Sequence, residues 1–354
     1  MRRPGTTPNA RPTPDARELR LWRVSRALTV AFIAAVLVAG GVFYSLLVVL
    51  DFQGIDKAAK LDAATLFDLV KLSFGVVAGA SALVALVVAY RRQRVDEAGA
   101  HREATRLHTE RFTQAVEQLG SDSPAVRLGG VHALAGLADD APDQALRQTC
   151  IDVLCTYLQL PFTPDPGAAD QEGHHHYLAL RKVRHTILRL ISDHYRRPQG
   201  THRSWQGCDL DLCDVTIDCS MNFSGVVFSG ATVAFSRATF SSGCYVYFDE
   251  STFSGGEVYF IGCSFSGSTV TFEGSVFSGG RTFFGGAMFC GGDVDFTGVT
   301  FSGGDVNFYD AVFSGGTVNF SEATGQVPRL LLDAVGTPVP AFVTLPPAWT
   351  LPTS

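Results

Sequence analysis

Positive charge is nearly absent from one third of this chain. Residues 205–323 hold nine Asp and four Glu but only Arg237 and Arg281, a net of −11 within a whole chain of −6, so the remainder is +5. A surface of that sign repels phosphate, which excludes a nucleic-acid-binding rod. No G-x-S-x-G, Walker or dinucleotide motif stands between a strand and a helix, so no catalytic residue and no cofactor site are expected, and the chain reads as a non-enzyme. Metal ligands are also missing. The nearest candidate is "HHHY" (174–177), but adjacent histidines converge poorly and no Cys or Asp sits at ligand spacing. It reads as an exposed loop between helices. "GGDVD" (291–295) lacks the spacing and the period of a calcium-binding nonapeptide repeat.

Charge of either sign is absent from two runs, 27–50 and 72–90. Each has about the 20 residues a membrane-spanning helix needs, so the sequence predicts a two-helix transmembrane hairpin. Seven arginines in 1–26 and Arg91, Arg92 and Arg94 after the second run place both termini in the cytoplasm of a two-span plasma-membrane protein, with lipid as one partner. Asp68 and Lys71 form an interfacial pair just before the second run. The small-residue steps Ala31, Ala35, Ala39 and Gly75, Gly79 suit close helix packing and leave a homo-oligomer open. The expected layout is an Arg-rich tail (1–26), span one (27–50), a link and the start of helix two (51–71), span two (72–90), a helical segment (91–198), a β-solenoid (199–323) and a Pro-rich cap or tail (324–354). In a reducing compartment the eight cysteines are free thiols, with Cys208, Cys213 and Cys263 facing inward.

What the acidic third does contain is phenylalanine at regular intervals. Phe recurs at 228, 235, 240, 248, 253, 260, 265, 272, 277, 284, 289, 296, 301, 308, 313 and 320, in steps of 7 and 5 with a single 8. A fixed period of 12 marks stacked units. Two residues before each ring stands a small or β-branched residue, such as Val258, Cys263, Val270 and Ser275. Residues i and i−2 share one side of an extended chain, so both point into a core. The inward set comprises Leu210, Val215, Phe223, Phe228, Phe240, Phe253, Phe260, Phe265, Phe272, Phe277, Phe289, Phe296, Phe301, Phe308, Phe313 and Phe320. Ser-Gly-Gly spacers supply corners. Two repeats per coil, about 24 residues with four sides, fit the rings better than one. Sixteen rings then make about four coils.

The stretches "CDLDL" (208–212), "CDVTI" (213–217), "MNFSG" (221–225) and "VVFSG" (226–230), with the later triplets "VDF" (294–296) and "VNF" (306–308, 318–320), resemble the pentapeptide-repeat family. That resemblance implies a right-handed four-sided β-helix. The departure is a two-residue insertion, mostly in Ser-Gly-Gly, after every second unit. Together with the two runs and the helical segment, the chain resembles membrane-anchored pentapeptide-repeat proteins of actinobacteria.

Between run and repeat the pattern is helical. Phe112, Ala115, Val116 and Leu119 form one stripe. Ser123 and Pro124 open a small-residue helix, "AVRLGGVHALAGLA" (125–138), which resembles the helices of HEAT and armadillo proteins. Further helices end near Leu158 and cover 183–194. After the last repeat, Leu330, Leu331, Leu332, Phe342 and Trp349 are expected to cover the final coil as extended chain, since a solenoid's end exposes its core. The fold class expected is therefore modular: a transmembrane hairpin, a short HEAT-like α-helical segment and a pentapeptide-repeat β-helix. The function expected is a non-catalytic, membrane-anchored scaffold whose acidic rod meets a cytosolic, basic protein partner. The alternative is an acidic rod that mimics DNA and inhibits an enzyme such as gyrase.

Overall fold

A computed structural model describes residues 63–167 and 169–350, together with positions 33, 37, 40, 41 and 44. The chain divides into two compact units, Met1–Ala100 and His101–Ser354.

In the first unit the expected span at 27–50 lies outside the described residues, apart from helical positions Ile33, Leu37, Gly40, Gly41 and Tyr44. The run 72–90 lies within a single helix, α1 (Ala63–Leu119), of 57 residues. Among the described residues no helix is long and apolar enough to cross a membrane. The transmembrane hairpin is thereby corrected, and with it the two-span plasma-membrane location with both termini cytoplasmic. The expectation equated lack of charge with apolar surface. Nine of the nineteen residues in 72–90 are Gly, Ala or Ser, and transfer out of water scales with the apolar area a side chain presents.

The second unit starts with helices. The end of α1 buries Ala115 and Leu119 and half-buries Phe112, while Val116 stays exposed. Next come α2 (Pro124–Asp139), α3 (Gln144–Gln159) and α4 (Gln171–Tyr195). Pro124 takes the first turn of α2, where its missing N–H costs nothing, but the Ser123 hydroxyl makes no capping bond. Asp143 does cap α3, accepting the Leu146 N–H at 2.9 Å, and Asp170 caps α4 from the Gly173 N–H at 2.9 Å. Small residues in α2 let it approach α1 closely: a Cβ on Gly130 would lie 2.5 Å from the Leu119 nitrogen. Val131, Leu134, Ile151, Leu154, Ile187 and Ile191 fill the space between helices. The expected loop at 174–177 is instead the first turns of α4, so the last helix starts twelve residues before the expected 183. The Asp170 cap and the contacts of Phe162 with Tyr177 (5.1 Å) carry the helix through polar sequence that has no periodic signal of its own.

From Leu210 the chain winds as a parallel β-solenoid of about six turns. Phe253 pairs with Phe277 and Val258 with Thr282, a register of 24 residues. The first turns vary: Leu210 pairs with Val233, 23 residues on, and Phe228 with Phe253, 25 on. The expected four coils counted only Phe. The first turn instead uses Leu210, Leu212, Val215, Ile217 and Met221, all buried.

Inside, the rings form four columns. They are Phe228–Phe253–Phe277–Phe301, Phe235–Phe260–Phe284–Phe308, Phe240–Phe265–Phe289–Phe313 and Phe223–Phe248–Phe272–Phe296–Phe320. Successive centroids lie between 4.3 Å (Phe253–Phe277) and 5.2 Å (Phe277–Phe301) apart, the spacing of β layers. Neighbouring columns meet edge to face, as Phe260 does Phe272 at 84°, an arrangement that ring quadrupoles favour. The small residues two before each ring are buried as well. Two of the polar ones bond to the backbone of the layer beneath: the Ser251 hydroxyl donates to the Phe223 carbonyl at 2.8 Å and Ser275 to Phe248 at 2.6 Å.

The alternation of 5 and 7 follows from two kinds of corner. Each five-residue step turns at one left-handed residue, such as Arg237, Glu250 or Asp310. Its N–H reaches the next layer, as Arg237 does the Ile261 carbonyl at 2.7 Å. Most seven-residue steps lie inside eight-residue strands, and Thr252–Tyr259, Val276–Phe283 and Val312–Asn319 cross Ser-Gly-Gly there, with register shifts at the glycines. The glycines are needed for more than turning. Gly280 has φ +65°, and a Cβ there would lie 2.7 Å from the Gly255 carbonyl carbon in the layer beneath.

Both ends are closed. At the last coil, α5 (Leu331–Val335), a strand Val343–Thr344 and α6 (Pro347–Thr350) form the lid. Leu331, Val335, Val343 and Trp349 are buried and Phe342 packs against them, while Leu330 and Leu332 are exposed. The lid is thus short helices plus one added strand, because Val318 of the last coil offers Val343 a free parallel edge. Trp349 sits 5.9 Å from both Phe301 and Phe320.

Candidate interaction surface

Of the sixteen residues expected to face inward, fifteen are buried and Phe313 is half-buried in the last turn. Phe235, Phe248 and Phe284 join them at 0% exposure. The stacked rings fill the solenoid, so whatever it does chemically happens on its outside. Apart from Cys290, the thiols are equally passive. Burial pushes Cys155 and Cys219 up to about 12 and Cys150, Cys213 and Cys244 up to about 11. Cys263 is raised as well, and its thiol donates to the Phe235 carbonyl at 2.7 Å. Cys208 and Cys263 are buried as expected from the repeat, Cys213 is only half-buried, and Cys290 is exposed.

Outward residues repeat from layer to layer, so each side of the solenoid displays columns of its own. One side carries Ser254, Ser278 and Ser302 beside Thr252, Val276, Thr300 and Thr324, with Thr300 and Thr324 hydroxyls 3.2 Å apart. The next carries Glu257, Arg281, Asp305 and Arg329, alternating in sign: Arg281 pairs with Glu257, and Arg329 lies 3.4 Å from Asp305. Beside that ladder Tyr259 stacks on Phe283 at 5.3 Å, and the Arg281 guanidinium lies 5.8 Å from the Phe283 centroid. A third side is neutral, with Thr239, Ser264, Met288 and Val312 in register. The fourth is acidic: Asp293 and Asp295 lie on it, and Asp249, Glu250 and Glu273 at the following corner. The Asp249 carboxylate accepts from the Thr271 hydroxyl and from the Glu273 N–H (3.2 Å).

Sequence periodicity gave no hint of how the helices close the first layer. The Gln148 side chain donates to the Asp209 carbonyl at 2.8 Å and accepts the Asp209 N–H at 2.9 Å, replacing a neighbouring strand. Gln159 donates to the Asp211 carbonyl at 3.2 Å. These contacts cover an edge that would otherwise invite association. Asp218 accepts from Arg181 at 2.6 Å and pairs with His185 at 2.8 Å. Burial raises its pKa, but the bonds from His185 and Arg181 more than offset that and bring it to about 2. Asp139, at the end of α2, accepts the Trp205 indole N–H at 3.1 Å and faces His194 at 3.3 Å, with Trp205 stacked on His194 at 4.3 Å. The one signal for this cluster in the sequence was the acidic pair Asp139–Asp140 at a helix end, which only a three-dimensional neighbour makes meaningful. In "HHHY", His174 pairs with Asp165 at 2.7 Å, and His175 and His176 are exposed. Among the described residues no group of three or more His, Cys, Asp or Glu is arranged to hold a metal.

Among the described residues of the second unit, two concave places stand out. A groove of about 520 Å³ lies between α1 and α2, lined by Leu107, His108, Arg111 and Leu137 among others. A notch of about 400 Å³ opens on the solenoid around Phe283, Gly285 and Tyr309. No protein-family model matches the chain. Nor does any curated protein match it.

Proposed function

We propose that this chain is a non-catalytic interaction scaffold, working through the outer sides of a solenoid of pentapeptide-repeat type. The observation that carries the reading is the continuous four-column ring core, which leaves no interior space and presents only repeated surface side chains. The family reading rests on the small–polar–Phe register. It also rests on the arithmetic of the turn: four pentapeptides plus two residues in each of two seven-residue steps give 24, the register of Phe253 with Phe277. Its partner is a basic protein, matched to the net −11 of 205–323 by charge complementarity, which sets specificity and association rate. The alternating Glu257–Arg281–Asp305–Arg329 ladder interrupts the acidic surface, so the DNA-mimic alternative has no observation of its own in its favour.

Photoreactive residues at Ser254, Met288, Asp293 and Tyr309 sample all parts of the circumference in the full-length chain. A scaffold gives a discrete adduct from one or two of these positions. Diffuse, equal labelling of bulk protein from all four would sink the reading. Inhibition of DNA supercoiling by the full-length chain would favour the mimic instead.

A further inference from the structure

The notch on the solenoid has a construction that the repeat does not require. Its corner column runs Ile261, Gly285, Tyr309, and the adjacent left-handed column runs Gly262, Gly286, Asp310. In one layer both outer corner positions are therefore glycine, while the layer below presents Ile261 and the layer above Tyr309, which are 41% and 59% exposed. The result is a gap of about 400 Å³ with a backbone floor. Phe283 forms one wall, and Asn307, Tyr309 and Asp310 form the upper rim. Gly285 has no positive φ and a Cβ there would meet only the Tyr309 carbonyl oxygen at 3.5 Å, an ordinary contact. Neither backbone angle nor space demands glycine at 285, so the opening is not a by-product of the turn.

Building on the basic-partner reading above, we infer that this notch receives a cationic side chain, arginine or lysine, from that partner. Two aromatic residues and one carboxylate frame it, and rings attract cations through their electron-rich faces. The molecule already shows the same contact internally, with the Arg281 guanidinium against the Phe283 ring. Arg281 is paired with Glu257, which offsets its repulsion of an incoming cation. Asp305 is engaged by Arg329 at 3.4 Å. Asp310, by contrast, is exposed at the rim. The surrounding rod, at −11, raises the local concentration of basic segments.

The test is binding of a fluorescein-labelled nona-arginine peptide to the full-length protein, read by anisotropy at low and physiological ionic strength. Gly285→Leu fills the notch without altering charge, and Asp310→Asn removes the rim carboxylate at a left-handed position that Asn tolerates. Each should weaken binding by about tenfold or more at physiological ionic strength. Glu250→Asn removes one charge from a left-handed corner elsewhere and should weaken it by less than about twofold. Melting temperatures of the variants check that folding is intact, and Tyr309→Ala, at an exposed position, provides a second way to open the rim. Binding by the wild type that Gly285→Leu leaves unchanged, or that Asp310→Asn and Glu250→Asn weaken equally, overturns the notch while leaving a basic partner standing. Absence of peptide binding by the wild type at both ionic strengths overturns the basic-partner reading as well.

Discussion

Two glycines with the same backbone angle should respond very differently to a methyl group. Gly280 and Gly298 have φ +65° and +66°. An alanine at either position must adopt a left-handed conformation, which costs about 1–2 kcal/mol. Beyond that the sites diverge. At Gly298 the nearest atom to a new Cβ is 4.0 Å away, the Gly274 nitrogen. At Gly280 the Cβ would lie 2.7 Å from the Gly255 carbonyl carbon and 2.8 Å from the oxygens of Gly255 and Gly256. All three atoms belong to the backbone of the layer beneath and cannot rotate aside. Relief requires two layers to part, against bonds such as the Val276 N–H to the Ser251 carbonyl at 2.9 Å. Overpacking of this kind costs about 1–3 kcal/mol, so Gly280→Ala should lose about 2–5 kcal/mol in total and Gly298→Ala only the strain. Urea unfolding followed by circular dichroism measures both. Equal losses, or a larger loss at Gly298, would refute the view that Ser-Gly-Gly exists to let backbones of successive layers touch.

Three further outcomes are expected. Phe272→Ala removes a ring stacked on Phe248 and Phe296 at 4.9 and 4.8 Å and should cost about 3–5 kcal/mol, while Ser278→Ala on the exposed side should change the urea midpoint little. Asp218, with a folded pKa of about 2 against about 3.9 unfolded, contributes stability that is fully present above pH ~4 and is lost as pH falls from ~4 toward ~2. Unfolding of the wild type should therefore become easier over that window, and Asp218→Asn should flatten the trend. Exposed Cys290 should be the one thiol that reacts quickly with a disulfide reagent in the native protein, and Cys290→Ser should abolish the fast phase. Fast reaction of several thiols would mean that the raised set, buried or half-buried, is open to solvent.

The solenoid core was legible because its two signals, a ring every 5 or 7 residues and a small residue two before it, recur with a single exception, the step of 8 from Phe240 to Phe248. The first turn is harder to read, since Leu212 and Ile217 stand in ring columns where later turns have Phe, and Met221 stands beneath Val246. Glycine could be recognised as corner-forming, yet nothing in one dimension shows that Gly280 lies against Gly255. The helices were found where apolar spacing is strong, as in 144–158. They were missed at 171–182, where a cap and a few ring contacts sustain polar sequence. Over 72–90 the difference is of another kind: freedom from charge does not amount to apolar surface, in a run of which nine of nineteen residues are Gly, Ala or Ser. The clusters around Asp139 and Asp218 join residues 33 to 66 positions apart, a separation at which a sequence carries no local trace. The notch beside Phe283 went unseen for the same reason, because its walls come from three successive turns.

The 24-residue turn is tested most directly by nitroxide pairs in a Cys290→Ser background. Labels at Ser254 and Ser278 directly follow the paired Phe253 and Phe277 on successive layers, about 5 Å apart along the stack, whereas Ser254 and Ser266 lie on different sides of one turn. Strong dipolar broadening of the continuous-wave spectrum for the first pair and little for the second is the expected result. The reverse pattern, or no broadening in either, would contradict the stacked-ring solenoid.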